Sequence, residues 1–161
     1  MSKKKTGFTA LVAKFPKATL PLTLEPETVR EFDKTNKPLS EENISLFLAD
    51  EGAEYDEFTE WVPCCRLPEP SKFYGLIYWQ AGLLEYHYML VTFDKTGNLL
   101  DKKRIGGTIS DGNAFKVVVA TIETSWKIEA VEGTTTQNTS LIPDQLTKHH
   151  SFNILENGTI Q

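Results

Sequence analysis

The sequence predicts an α+β fold, predominantly antiparallel β. The expected sheet is a curved meander of roughly five to seven strands, a half-barrel being its more closed form. Short N-terminal helices are expected on one of its faces. Three observations carry this reading. Helix-type spacing is confined to the first 62 residues. From Phe73 the apolar period changes to two. Short turns ending in glycine then recur at hairpin spacing.

The chain has 161 residues, 40% of them hydrophobic and 24% charged. That suits one globular domain with one core. Three segments make up the expected domain: a tail over 1–6, an acidic and mainly helical or irregular part over 7–62, and the β meander over 63–161.

Within the second segment GFTALVA reads as a short edge strand. FPKATLPLTLEP holds three prolines and is expected to be extended. Pro26 suits the first turn of a short helix, with Val29 and Phe32 facing inward. Ser40 is a helix N-cap followed by Glu41 and Glu42, and Ile44, Phe47 and Leu48 form the apolar side. Gly52 is placed to end that helix. EYDEFTEWV then reads as further helical turns or an ordered acidic loop. Val62 to Pro70, with three prolines, is read as a connector.

Strands are expected at 73–79, 83–93, 99–105, 115–122, 125–132 and 150–155, with a stub at 159–161. Gln80-Ala81-Gly82, Lys95-Thr96-Gly97 and Glu156-Asn157-Gly158 fit three-residue hairpin loops with a left-handed glycine. Residues 106–113 and 134–150 are read as loops, the second with a helical turn near its end.

If 80–82 is a three-residue loop, Tyr78 opposes Leu84, Leu76 opposes Tyr86 and Tyr74 opposes Tyr88. The next loop sets Tyr88 against Arg104 and Leu90 against Lys102. In this register Tyr74, Tyr78, Tyr86 and Tyr88 share one face, with Lys102 and Arg104 at its margin. Tyrosine combines contact area with a polar tip, so this face is a candidate binding platform. The competing reading is a second core face under the helices.

Net charge is −5. Residues 25–60 hold twelve acids against three bases, a balance of −9. The acids Asp50, Glu51, Glu54, Asp56 and Glu57 are therefore candidates for docking a basic partner. The acidic balance argues against non-specific nucleic-acid binding. No apolar run is long enough to span a bilayer as a helix, so no membrane association is expected. Three lysines precede a short apolar run at the start, but Lys14 ends that run and no clean cleavage site follows. Together with two adjacent cysteines outside any disulfide framework, this predicts a cytoplasmic protein with free thiols, one facing in and one facing out.

No phosphate loop, GxSxG, HExxH, kinase element or calcium loop is present. No cofactor and no metal are expected. Sequons at Asn43, Asn138 and Asn157 carry no weight without a secretory signal. Three functional classes remain. The favoured one is a non-enzymatic protein-interaction module, of which an inhibitor of a basic toxin or nuclease, an immunity-type role, is one form. The second is a small-ligand-binding β domain using the concave side of the sheet. The third is an enzyme built from Cys64 or Cys65, His149 or His150 and an acid such as Asp144. The oligomeric state is not encoded in any of these features.

Overall fold

The structure is a computed structural model of the chain. It describes residues 3–50, 55, 58–68, 72–83, 85–110, 114–135 and 145–161.

The described residues form an α+β fold dominated by one antiparallel sheet of eight strands. These are β1 (Leu22–Leu24), β2 (Glu60–Arg66), β3 (Phe73–Ala81), β4 (Glu85–Asp94), β5 (Leu99–Ser110), β6 (Phe115–Ile122), β7 (Lys127–Thr135) and β8 (Gln145–Asn153). β2 to β8 lie side by side in chain order, the expected up-and-down meander, and β1 pairs separately with β6. The ladder does not close: β2 and β8 are its two ends.

Two strands, β1 and β2, are additional to those read from the sequence, and β5 and β8 are longer than expected. Residues 62–66 belong to β2 instead of a connector. Proline is tolerated there because Pro63 sits where the register shifts between Pro63 and Cys65. The outer edge of β2 is partly paired: Arg66 donates to the Pro16 carbonyl and Ala18 donates to the Arg66 carbonyl, both at 2.9 Å. Residues 106–110 extend β5, so the glycines there lie within a strand. β8 likewise begins at Gln145, in place of the expected helical turn.

The N-terminal segment is helical, not an edge strand. Helix α1 spans Lys3–Ala13, reaching into the expected tail. Phe8, Leu11, Val12 and Phe15 recur at one-face spacing and are all buried. Pro26–Thr28 forms a tight turn leading into α2 (Val29–Thr35), with Pro26 in the first position as expected. α3 (Glu41–Asn43) begins at Ser40, whose hydroxyl accepts from the Asn43 amide, and continues as a wider turn over Ile44–Leu48. It ends at Ala49; Gly52, Glu54, Asp56 and Glu57 lie outside the described residues, and Glu60, Trp61 and Val62, expected in helical turns or an acidic loop, open β2 instead.

The helices divide between both faces of the sheet. α1 and the Ile44–Leu48 turn pack on Leu76, Tyr78, Val91 and Phe93. On the other side Val29 of α2 joins Val62, Ile77, Trp79, Tyr88 and Leu90, together with Ile122, Ile128 and Ile154 from the far end of the chain. β3 and β4 are thus sandwiched between two apolar clusters, which is why both alternating sets of their side chains are large.

Candidate functional site

The tyrosines do not form one platform. β3 pairs with β4 so that Tyr78 opposes Met89, Trp79 opposes Tyr88 and Ala81 opposes Tyr86. Relative to the expected register this is a slip by an odd number of residues, which turns every β4 side chain to the opposite face. Tyr74 and Tyr78 therefore lie in the cluster under α1, and Tyr88 in the other. Tyr78 and Tyr88 are fully buried. The Tyr78 hydroxyl donates to the Leu48 carbonyl at 3.4 Å, and the Tyr88 hydroxyl to the Glu25 carbonyl at 2.6 Å. Burial pushes both phenols well above their ordinary pKa. Tyr74 is half-buried beneath the Lys95 ammonium, 3.8 Å from its ring centre. Tyr86 alone of the four is exposed, stacked on Trp79 at 6.0 Å.

Of the acidic candidates, Asp50 is engaged within the chain, 2.9 Å from the Lys102 ammonium. Glu51, Glu54, Asp56 and Glu57 lie outside the described residues, as does Asp144.

Both cysteines face inward, where alternation predicts one in and one out. The register shift in β2 turns Cys64 and Cys65 into the same core, and both are buried free thiols. Burial raises both pKa values, Cys65 to about 12, so neither carries a thiolate at neutral pH. They stand on β2, at one end of the strand order, while His149 and His150 stand on β8 at the other. His149 is paired with Glu129.

A different constellation emerges where β5 bends. β5 accompanies β4 along most of its length but meets β6 only through Gly107–Ser110. β1 takes the same edge of β6 further on, Leu24 pairing with Ala120. Ile105 is an extra residue on β5, since Tyr88 opposes Gly106 while Met89 opposes Arg104. Such a bulge re-aims the neighbouring side chains and bends the strand. The bend leaves a groove of about 490 Å³. Its floor includes Ile105, Ile109, Val118, Ala130 and Phe152; Lys102, Lys103, Arg104 and Lys116 form its cationic lining, and the His87 and His150 rings lie among them. Glu132 is the one acid that lines it.

The cations differ in how far they are engaged. Lys102 donates to the Leu48 carbonyl and to Asp50. The Lys103 ammonium lies 4.5 Å from the centre of the Phe152 ring. A guanidinium nitrogen of Arg104 lies 3.4 and 3.5 Å from the His87 ring nitrogens, and Arg104 meets no carboxylate among the described residues. His87 also contacts Glu85 at 3.1 Å. Desolvation lowers the His87 pKa first; Arg104 adds to this and Glu85 opposes it. Lys116 is exposed and makes no hydrogen bond or ion pair among the described residues.

Sequence reasoning named Arg104 but missed Lys103, Lys116 and Glu132. One signal was present. Lys102-Lys103-Arg104 is a basic run inside a strand of an acidic chain, and Gly106-Gly107 follow it after Ile105. Adjacent strand residues point to opposite faces, so such a run marks a cationic surface on both sides of β5.

Comparison with protein families, curated proteins and solved structures finds no match. No helix among the described residues is long and apolar enough to cross a membrane. Among the same residues no group of three or more His, Cys, Asp or Glu side chains is placed to hold a metal ion.

Proposed function

We propose that the chain is a non-catalytic binding module that holds a small anionic ligand, a carboxylate or phosphate, in the groove beside β5. The observation that carries the reading is Arg104 and Lys116 on one concave surface with no carboxylate partner among the described residues, in a chain whose net charge is −5. Concave sites with an apolar floor and a few convergent polar groups are the usual form of small-molecule sites. Walls of low dielectric strengthen the field of such cations on an incoming anion. The buried, protonated thiols favour binding over nucleophilic catalysis and suit a reducing cytoplasm.

The test is thermal unfolding and calorimetry of the full chain against a panel of small carboxylates and phosphates. A raised Tm with at least one of them, lost in an Arg104→Gln, Lys116→Gln variant that still folds, is expected. A blank panel would sink the proposal.

The acid-rich stretch 25–60 supports a second reading, the docking of a basic protein, on its balance of −9. A complex of that kind forms more slowly as salt rises, because the Debye length contracts to about 8 Å at physiological ionic strength. Capture by a basic protein that is indifferent to salt would count against it.

A further inference from the structure

Glu132 sits in the wall of the groove, 9% exposed, and its carboxylate has no hydrogen-bond or ion-pair partner among the described residues. Its carboxylate oxygens are not among the buried side-chain atoms without a partner, so they open onto the solvent of the groove, where an incoming donor can reach them. Two cations are near it in the ladder. Lys148 stands directly opposite on β8, and Lys116 is diagonal to it, two residues along β6 from its partner Val118. Neither ammonium comes within 4 Å of it, and both side chains are exposed. The groove therefore presents two cationic groups without a carboxylate partner among the described residues, Arg104 and Lys116, and one anionic group in its wall without a cationic one.

We infer that the groove selects small zwitterions of the amino-acid type, the ligand's carboxylate on Arg104 and Lys116 and its ammonium on Glu132. This rests on the anion-binding reading above and narrows it. Arg104 offers the planar fork that suits a carboxylate, and Glu132 accepts from an ammonium in a charge-assisted bond. The apolar floor of Val118, Ala130 and Phe152 then lies beneath the ligand's side chain. A simple anion of the same size leaves Glu132 unpaired and adds a like charge beside it, so the site discriminates against it.

The experiment compares, by calorimetry on the full chain, the common L-amino acids with their deaminated acids and their decarboxylated amines. At least one amino acid is expected to bind about tenfold or more tighter than either of its two truncated counterparts. In Glu132→Gln the preference over the deaminated acid should shrink to about twofold or less, while the acid's own affinity holds or rises. If Glu132→Gln fails to fold, the wild-type comparison decides the matter. Should a deaminated acid match its amino acid in the wild type, the zwitterion inference falls and the anion site stands. If the amines bind as well as the amino acids, the cations play no part and both readings fall. If nothing in the panel and no other anion binds, both fall together.

Discussion

The side-chain amide of Asn36 donates to the main-chain carbonyl of Cys64 at 2.9 Å, and it reaches the carbonyl of Pro63 at 2.6 Å as well. Asn36 caps the C-terminus of α2, its own amide donating to the Phe32 carbonyl. One residue thus ends a helix and satisfies two carbonyls at the point where β2 loses its regular register. Asn36→Ala should cost about 1–3 kcal/mol, because carbonyls in a partly buried setting lose their donor. Asn36→Asp should cost more, since a carboxylate donates nothing and repels both oxygens. Urea unfolding of the two variants checks this, with the midpoint falling and the slope unchanged.

The two thiols should be silent in the native protein. At pH 8 a thiol reagent is expected to modify neither Cys64 nor Cys65 until denaturant is added, when both react. A raised folded-state pKa implies stability that is fully present below the ordinary value of 9.0 and lost as pH rises toward about 12 for Cys65. The loss of stability across that window, measured against each protein's own neutral baseline, should be smaller in Cys65→Ala. Rapid native labelling of either thiol at pH 8 would contradict the burial.

Two glycines make a sharper contrast. A Cβ on Gly107 would lie 1.9 Å from the Tyr86 carbonyl oxygen, and its φ of +135° is one that side chains rarely adopt. Gly107→Ala should therefore cost more than about 4 kcal/mol or prevent folding. The nearest atoms to a Cβ on Gly75 would be those of the Leu67 side chain, one of its methyls at 2.5 Å. Leu67 has rotamers to move into, so Gly75→Ala should cost about 1–3 kcal/mol. Equal losses in the two variants would mean that the close approach of β4 to β5 is not as described.

On the β7–β8 pair, Glu129 accepts from Lys127 and from the Ser151 hydroxyl at 2.7 Å, and contacts His149. These partners, Lys127 first, hold its pKa at about 2 against an ordinary 4.5. A depressed carboxylate contributes stability that is present above the ordinary value and lost as pH falls through about 2. Carboxyl NMR should find Glu129 titrating near 2, and Ser151→Ala should move the midpoint upward. A midpoint near 4 in the parent chain would show that the cluster does not persist in solution.

Much of the sheet was legible because hairpin turns are local chemistry. Gly97 and Gly158 both take positive φ, at 97° and 92°, in the three-residue loops read from the sequence. The turn before β7 was harder. There Trp126 occupies the left-handed position, φ 68°, which sequence reasoning reserves for glycine or asparagine. The β3–β4 register was not legible for a physical reason. Phe73, Ile77 and Trp79 on one side are matched by Tyr74, Leu76 and Tyr78 on the other. A strand buried on both faces carries no polarity with which to choose a register. Gln80-Ala81-Gly82 imitated a loop, yet β3 runs on to Ala81. The groove was hidden for the same reason: its residues come from five strands, and only the bend at Ile105 sets them around one space. Helix α1 was legible in principle from Phe8, Leu11, Val12 and Phe15, but the short apolar run mimicked a strand.

The Lys102–Asp50 contact has a thermodynamic consequence. Lys102 lines the groove, and Asp50 lies in the acid-rich stretch. A basic protein that captured Asp50 would free Lys102 to add its charge to the groove, and an anion that drew Lys102 inward would release Asp50. Each event lowers the cost of the other by the same amount, so the two would be positively linked. Asp50→Asn should then tighten anion binding while leaving less for a basic partner to gain. The two readings of this chain would in that case be two ends of one equilibrium.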